Sequence, residues 1–378
     1  MLSDASEPRL LAANDLQQLI EVLRRRGYQV IAPVIDQQAV VLDEIDSVAQ
    51  LPAGWHDEHD GGVYRLVPSG DGAFFGHTVG PHSWKKYLHP PHRRLWRVRR
   101  DGAALAVVPE ENEEPPRFAF LGVRSCDLAA IAVQDRIFVE DHVVNPSYRD
   151  RRAGAFIIAV NCGRAGGTCF CVSMGTGPKA GTGFDLALTE LVEDGRHDFL
   201  VEAGSAAGAE LLGELPCRTA EPADRRLAAE AVANAVAQMG RTLDTHGIKE
   251  LLQGNLQHPR WQEVADRCLT CGNCTLVCPT CFCTTVEDRS DLEGELAERW
   301  LRWDSCFTLD FSHVGGGSVR RSASSRYRQW ITHKLADWHD EFGTSGCVGC
   351  GRCIAWCPVG IDITEETDAI RATDRRQT

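Results

Sequence analysis

Two runs of cysteine carry the strongest chemical signal in this 378-residue sequence. Cys268, Cys271, Cys274 and Cys278 are followed by Pro279, and Cys347, Cys350, Cys353 and Cys357 by Pro358. Each run reads C-x2-C-x2-C-x3-C-P, a spacing of iron–sulfur ligands. Three thiolates at steps of three wrap a short loop around three corners of a cubane. The fourth, set apart by the helix break at proline, reaches the other cluster. The expected sets are therefore crossed: Cys268, Cys271 and Cys274 with Cys357, and Cys347, Cys350 and Cys353 with Cys278. The cofactors this implies are two 4Fe-4S clusters. Structural zinc is the competing reading, but zinc favours paired C-x2-C units, often with histidine.

Cys162, Cys169 and Cys171 form a second kind of group, within Asn161-Cys-Gly-Arg-Ala-Gly-Gly-Thr-Cys-Phe-Cys171. Cys126 is expected to join them, because it follows a neighbouring strand. These four are a candidate third 4Fe-4S cluster. Glycines 163, 166 and 167 would let backbone approach it and donate N–H groups to sulfur. The alternative is a set of buried or redox-active thiols without metal. Thr168-Cys-Phe-Cys171 recurs as Thr280-Cys-Phe-Cys283. Cys281, Cys283 and Cys306 remain open between ligands, a thiol relay and plain buried cysteines, and Cys217 reads as structural.

These cysteines must be positioned by three regions. Residues 1–115 read as an N-terminal α+β region, with a helix over 14–26 and strands over 28–35 and 39–45. Residues 55–95, rich in Gly, Pro and His, read as loops, and the acidic run 110–116 as a boundary. Residues 116–220 read as a strand–helix–strand unit: buried strands over 118–123 and 155–160 flank a helix over 128–138 with Asp127 as its N-cap. Parallel strands place their C-terminal ends on one sheet edge, which brings Cys126 towards Cys162. A hairpin turning at Asp194-Gly195 follows. Residues 221–378 read as a helical dicluster ferredoxin domain, with helices over 222–239, 248–256, 261–266 and 322–340. The fold class is thus α+β, an N-terminal mixed α/β region followed by an α-helical ferredoxin-like domain with two 4Fe-4S clusters.

The formal net charge is −13, which argues against nucleic acid as a partner. No apolar run has the length of a membrane span, and the first residues lack a signal-peptide core. A cytoplasmic protein is expected, and sixteen cysteines in such a chain read as metal or redox ligands rather than disulfides. Weaker signals read structurally. Ser173-Met-Gly-Thr-Gly-Pro178 does not match a dinucleotide fingerprint and reads as a turn beside the cysteines. His56, His59, His77, His82, His89 and His92 lack ligand spacing. Ser83-Trp-Lys-Lys-Tyr-Leu88 reads as a solvated loop. No catalytic residue is assigned.

The spacing of the cysteine runs is that of bacterial two-cluster ferredoxins. The long insert between them resembles the α-helical ferredoxin domain of succinate dehydrogenase and heterodisulfide reductase subunits. More specific elements are Gly122-Val-Arg-Ser-Cys-Asp127, Thr168-Cys-Phe-Cys-Val-Ser-Met-Gly-Thr-Gly-Pro178, Arg267-Cys-Leu-Thr-Cys-Gly-Asn-Cys274 and Gly346-Cys-Val-Gly-Cys-Gly-Arg-Cys353. Over residues 51–363 the chain resembles the β subunit of cytoplasmic sulfhydrogenases, which are NADP-linked nickel–iron hydrogenases. It is similar in the same places to the corresponding iron–sulfur subunit of anaerobic sulfite reductase. The first resemblance implies an electron-transfer subunit without an active site of its own. Its partners would be the hydrogenase large and small subunits and a flavin-bearing NADP(H) reductase subunit. The second implies the equivalent role in a sulfite- or polysulfide-reducing complex. A zinc-stabilised interaction scaffold is the reading from a different class.

Overall fold

The computed structural model describes residues 7–102, 104–108, 115–193 and 195–374. In chain order its longer strands and their small neighbour are β1 (Arg9–Ala12), β2 (Gln29–Asp36), β3 (Ala39–Glu44), β4 (Trp55–Asp60), β5 (Val63–Pro68), β6 (His92–Asp101), β7 (Ala104–Val108), β8 (Phe118–Val123), β9 (Phe156–Val160), β10 (Leu186–Glu193), β11 (Arg196–Ala203), β12 (Arg218–Thr219), β13 (Thr284–Ser290) and β14 (Leu296–Trp303). Eight of them form one sheet in the order β12-β1-β11-β10-β9-β8-β2-β3. Its centre, β10-β9-β8-β2, is parallel, and its flanks are antiparallel.

Strands β8 and β9 are buried along their whole length, as continuous apolar runs in a covered parallel sheet must be. Alternate residues feed two cores. Ala119, Leu121, Phe156 and Ile158 pack with Leu16, Leu19, Ile20 and Leu23 of the helix Leu16–Arg25. Phe118, Phe120 and Ile157 pack on the other face with Leu128 and Ile131 of the helix Ser125–Asp135, and with Trp84 and Trp338.

The division expected between residues 115 and 116 falls inside this sheet. A fully buried strand must pair along both edges to satisfy its backbone. The second edge of β8 is supplied by β2, from the N-terminal region. The acidic run read as a boundary has residues 110–114 outside the described residues. Asp194 of the expected hairpin turn also lies outside them, but β10 and β11 pair antiparallel on either side.

Two stretches differ from expectation. Residues 55–95 contain the hairpin β4–β5, a short helix Lys85–Leu88 and the start of β6. The Gly61-Gly62 pair provides the β4–β5 turn, so the glycines mark a hairpin rather than a loop. The insert between the cysteine runs is not wholly helical. It holds β13 and β14, which join β6 and β7 in a second sheet of order β13-β14-β6-β7. Thr284, Thr285, Val286, Trp300 and Trp303 are β-branched or aromatic and suit a sheet. Their partner strand β6 lies far back in the sequence, where a local pattern does not reach. The later insert is helical as expected, over Ala323–Thr332, His333–Asp337 and Trp338–Phe342. The whole is a mixed α/β protein.

Candidate iron–sulfur site

The two cysteine runs fold alike. Thr270 N–H donates to Cys268 Sγ at 3.4 Å, and Gly349 N–H to Cys347 Sγ at 3.5 Å. Gly272 and Gly351 both have φ 74° and each opens a short helix, Asn273–Leu276 or Arg352–Ala355. A cavity is lined by Cys268, Cys271, Cys274 and Cys357, under Phe307, Tyr327 and Trp330. Cys278 lies away from it, close enough to Cys347, Cys350 and Cys353 to disfavour their ionisation. Cys353 also lines the first cavity, so the two groups adjoin.

The sheet edge brings the third group together. Cys126 lies in the first turn after β8 and Cys162 just beyond β9, and these strands are parallel neighbours. The loop leaving β9 folds back so that Cys171 acts electrostatically on Cys126 and Cys169, and Cys162 on Cys169 and Cys171. That loop docks on the second cysteine run. Phe170 N–H donates to Gly349 O at 2.9 Å, Thr168 Oγ1 to Gly351 O at 3.2 Å, and Thr176 Oγ1 to Val348 O at 2.6 Å. The contact leaves no room for side chains: a Cβ on Gly351 would stand 2.2 Å from Thr168 O, and one on Gly349 2.6 Å from Phe170 O. With φ positive as well, Gly351→Ala should cost roughly 1–3 kcal/mol of stability, read as a lowered unfolding midpoint. An unchanged midpoint would show that the loop is free to give way. A Cβ on Gly166 would stand 1.9 Å from His59 Nε2, and one on Gly167 2.2 Å from His59 O.

Charges missed by sequence reasoning surround these thiols. Asp127 was expected to cap its helix, but the N-cap is Arg124 with no side-chain cap bond. The Asp127 carboxylate instead accepts from Arg352 Nη1 at 2.8 Å and Nη2 at 3.1 Å, joining the sheet edge to the second cysteine run. Lys85, read as solvated, is 4% exposed. Its Nζ donates to Cys278 O at 2.9 Å and Cys281 O at 3.0 Å and sits 3.9 Å over the Trp303 ring. Lys334 Nζ donates to Cys278 Sγ at 3.3 Å, Thr280 Oγ1 at 3.0 Å and Gly346 O at 2.9 Å. Burial pulls Lys85 down to about 8. At Lys334 burial is outweighed by Cys278, Cys281 and Cys347, which hold it well above the usual lysine value. The flanking Trp84 and Leu88, both buried, were the one signal that Lys85 belongs to an apolar surface.

Of the histidines that lack ligand spacing, His59, His77 and His89 are buried and His92 is exposed. His59 accepts or donates at Thr78 Oγ1 and Thr168 Oγ1, both at 2.8 Å, and Asp57 Oδ1 accepts from Thr78 N–H at 2.7 Å. This buried chain holds Thr168 beside Cys169. Ser173–Pro178 is a turn region at the cysteines. Cys281 lies against Cys278 and Cys283 against Cys306, and Cys217 packs on the sheet core.

The donor set fits iron–sulfur chemistry. Burial pushes the thiols of Cys126, Cys169, Cys274 and Cys353 well up, and those of Cys171 and Cys347 to about 12. Such thiols ionise by binding metal, and all-sulfur donors select soft centres. Among the described residues no three His, Cys, Asp or Glu side chains converge as one metal ion requires.

The family described as "4Fe-4S dicluster domain" matches residues 267–361, the span of both cysteine runs. "Sulfhydrogenase 2 subunit beta" of Pyrococcus furiosus is 32% identical over 292 residues, covering 76% of this chain and 82% of that protein. The chain belongs to the sulfhydrogenase β-subunit family. The matched length of this family member exceeds the dicluster domain, so the kinship takes in sheet residues as well. No solved structure matches. Among the described residues no helix of this sulfhydrogenase β-family chain is long and apolar enough to cross a membrane.

Proposed function

We propose that this chain is the electron-transfer subunit of a cytoplasmic nickel–iron hydrogenase complex, relaying electrons between the hydrogenase subunits and a flavin-bearing NADP(H) reductase subunit. One observation carries the reading. The loop 346–353 meets all three groups: Thr280 and Lys334 beside Cys278 donate to Gly346 O, Cys353 lines the first cavity, and the turn at Cys169 and Cys171 bonds Gly349 O and Cys350 O. This shared loop supports reading the three groups as one row of sulfur donors from the helical region into the α/β sheet.

The ligand sets are Cys268, Cys271, Cys274 and Cys357; Cys347, Cys350, Cys353 and Cys278; and Cys126, Cys162, Cys169 and Cys171. When bound, 4Fe-4S clusters supply single-electron transfer at potentials set by charge, hydrogen bonding and burial. The chain does the rest. Phe307, Tyr327 and Trp330 line the cavity of the first set beside its sulfurs. Thr270 and Gly349 offer N–H groups to ligand sulfur. Arg352 and Asp127 lock the sheet edge to the second run.

Iron and sulfide assay of anaerobically purified protein tests the cofactor count. About twelve irons per chain supports three clusters, and about eight removes the sheet-edge set. Purification of the native complex tests the partners. Nickel with a large hydrogenase subunit supports the assignment. Sirohaem in its place would move the chain to a sulfite-reducing complex.

A further inference from the structure

Two lysines lie among the cysteines where no carboxylate meets them. Lys85 and Lys334 are 4% and 3% exposed, and among the described residues neither forms an ion pair with Asp or Glu. Their Nζ atoms donate to two carbonyls, and to a carbonyl, a hydroxyl and a sulfur, respectively. A lone buried ammonium costs several kcal/mol by desolvation. Two such cations in one pocket call for an anion, and the groups acting on both are the sulfurs of Cys278, Cys281 and their neighbours.

Among the described residues the other ferredoxin-type set has no such pair of buried lysines. Its nearby cation is Arg326, which acts on Cys268. Arg326 Nη1 spends its hydrogen bonds on the carbonyls of Arg320 and Arg321, not on sulfur. Arg267, next to Cys268, is neutralised by Glu366. The two sets, alike in backbone, therefore differ in charge.

We infer that Lys334 and Lys85 make the two clusters of the dicluster domain unequal, holding the one at Cys347, Cys350, Cys353 and Cys278 at the higher reduction potential. The inference rests on the ligand sets proposed above. Reduction adds one electron to the bound cluster and no proton. A fixed cation a few ångströms away in a low-dielectric interior stabilises the more negative state, and an N–H···S bond from Lys334 to Cys278 acts in the same direction. Lys334 contributes both charge and hydrogen bond. Lys85, which bonds only to carbonyls, contributes charge. Both are positioning residues, not ligands. The result is an internal electron sink at the set nearest the sheet-edge thiols, so that charge is drawn through the domain rather than shared across it.

Anaerobic redox titration of the full-length chain, followed by electron paramagnetic resonance, tests this beside an iron assay. Lys334→Met should retain its iron, move one midpoint to a more negative potential and leave the other in place. Lys334→Arg should keep both midpoints near those of the parent. Full iron with unmoved midpoints overturns the inference, as does an equal shift with arginine. Should Lys334→Met lose iron, Lys85→Met decides: one lowered midpoint supports the inference and none refutes it. Cys278→Ser separates the underlying assignment. Full iron and unaltered signals in that variant would overturn the ligand set itself, whatever the lysines do.

Discussion

Changing Cys350 to alanine should remove about four irons per chain, the content of one cluster, and stop hydrogen-dependent NADP reduction. Cys350 is buried at the point where the groups meet, among Cys126, Cys171 and Val348 and within electrostatic reach of Cys278. A break there interrupts the row of donors at its middle. Hydrogen-dependent reduction of a dye that accepts electrons directly from the hydrogenase subunits should survive, because that path avoids this chain. The measurement is the ratio of the two rates in the purified complex. Normal NADP reduction with one cluster missing would end the relay assignment.

The second large effect concerns stability. Arg352 and Asp127 form a two-bond pair whose side chains are 3% and 4% exposed, and Arg352 Nε also donates to Gly80 O at 3.2 Å. Arg352→Met strands the Asp127 carboxylate in the interior, and Asp127→Asn strands the guanidinium. Each should cost about 3–5 kcal/mol, a large share of the roughly 5–15 kcal/mol that holds an ordinary domain together. Replacing both residues with apolar ones should recover much of the loss, because the desolvation cost of the pair disappears with it. Denaturant unfolding of the two single variants and the double variant closes the cycle. A single-variant cost below about 1 kcal/mol, the range of an exposed ion pair, would show that the pair does not pin the sheet to the cysteine loops.

How much of this was legible depended on how local the cause was. The cysteine runs were legible because their spacing is the chemistry. Strands β8 and β9 were legible as apolar runs, and their parallel pairing puts Cys126 and Cys162 at the same end of neighbouring strands. The β4–β5 hairpin was not. Its alternation is carried by histidine, aspartate and glutamate, whose polar character masked a strand in which Asp57 and His59 point inward. Strands β13 and β14 were missed because β6, which completes their sheet, is remote in sequence. Lys85, Lys334 and the Asp127–Arg352 pair were missed for another reason. Apart from Trp84 and Leu88 beside Lys85, little in the local sequence marks these charged residues as buried, and each is stabilised by groups from a different part of the chain. The residues least visible in the sequence are thus the ones that supply charge to the thiols.

The second sheet has a consequence for biosynthesis. Leu296 pairs with Arg99 and Arg302 with His92, so a strand from the first third of the chain waits at its edge until the ribosome has delivered the hairpin between the cysteine runs. Such remote pairing is slow to form, and the second cysteine run emerges later still. The two cysteine runs can adjoin only once both strands of that hairpin have been made.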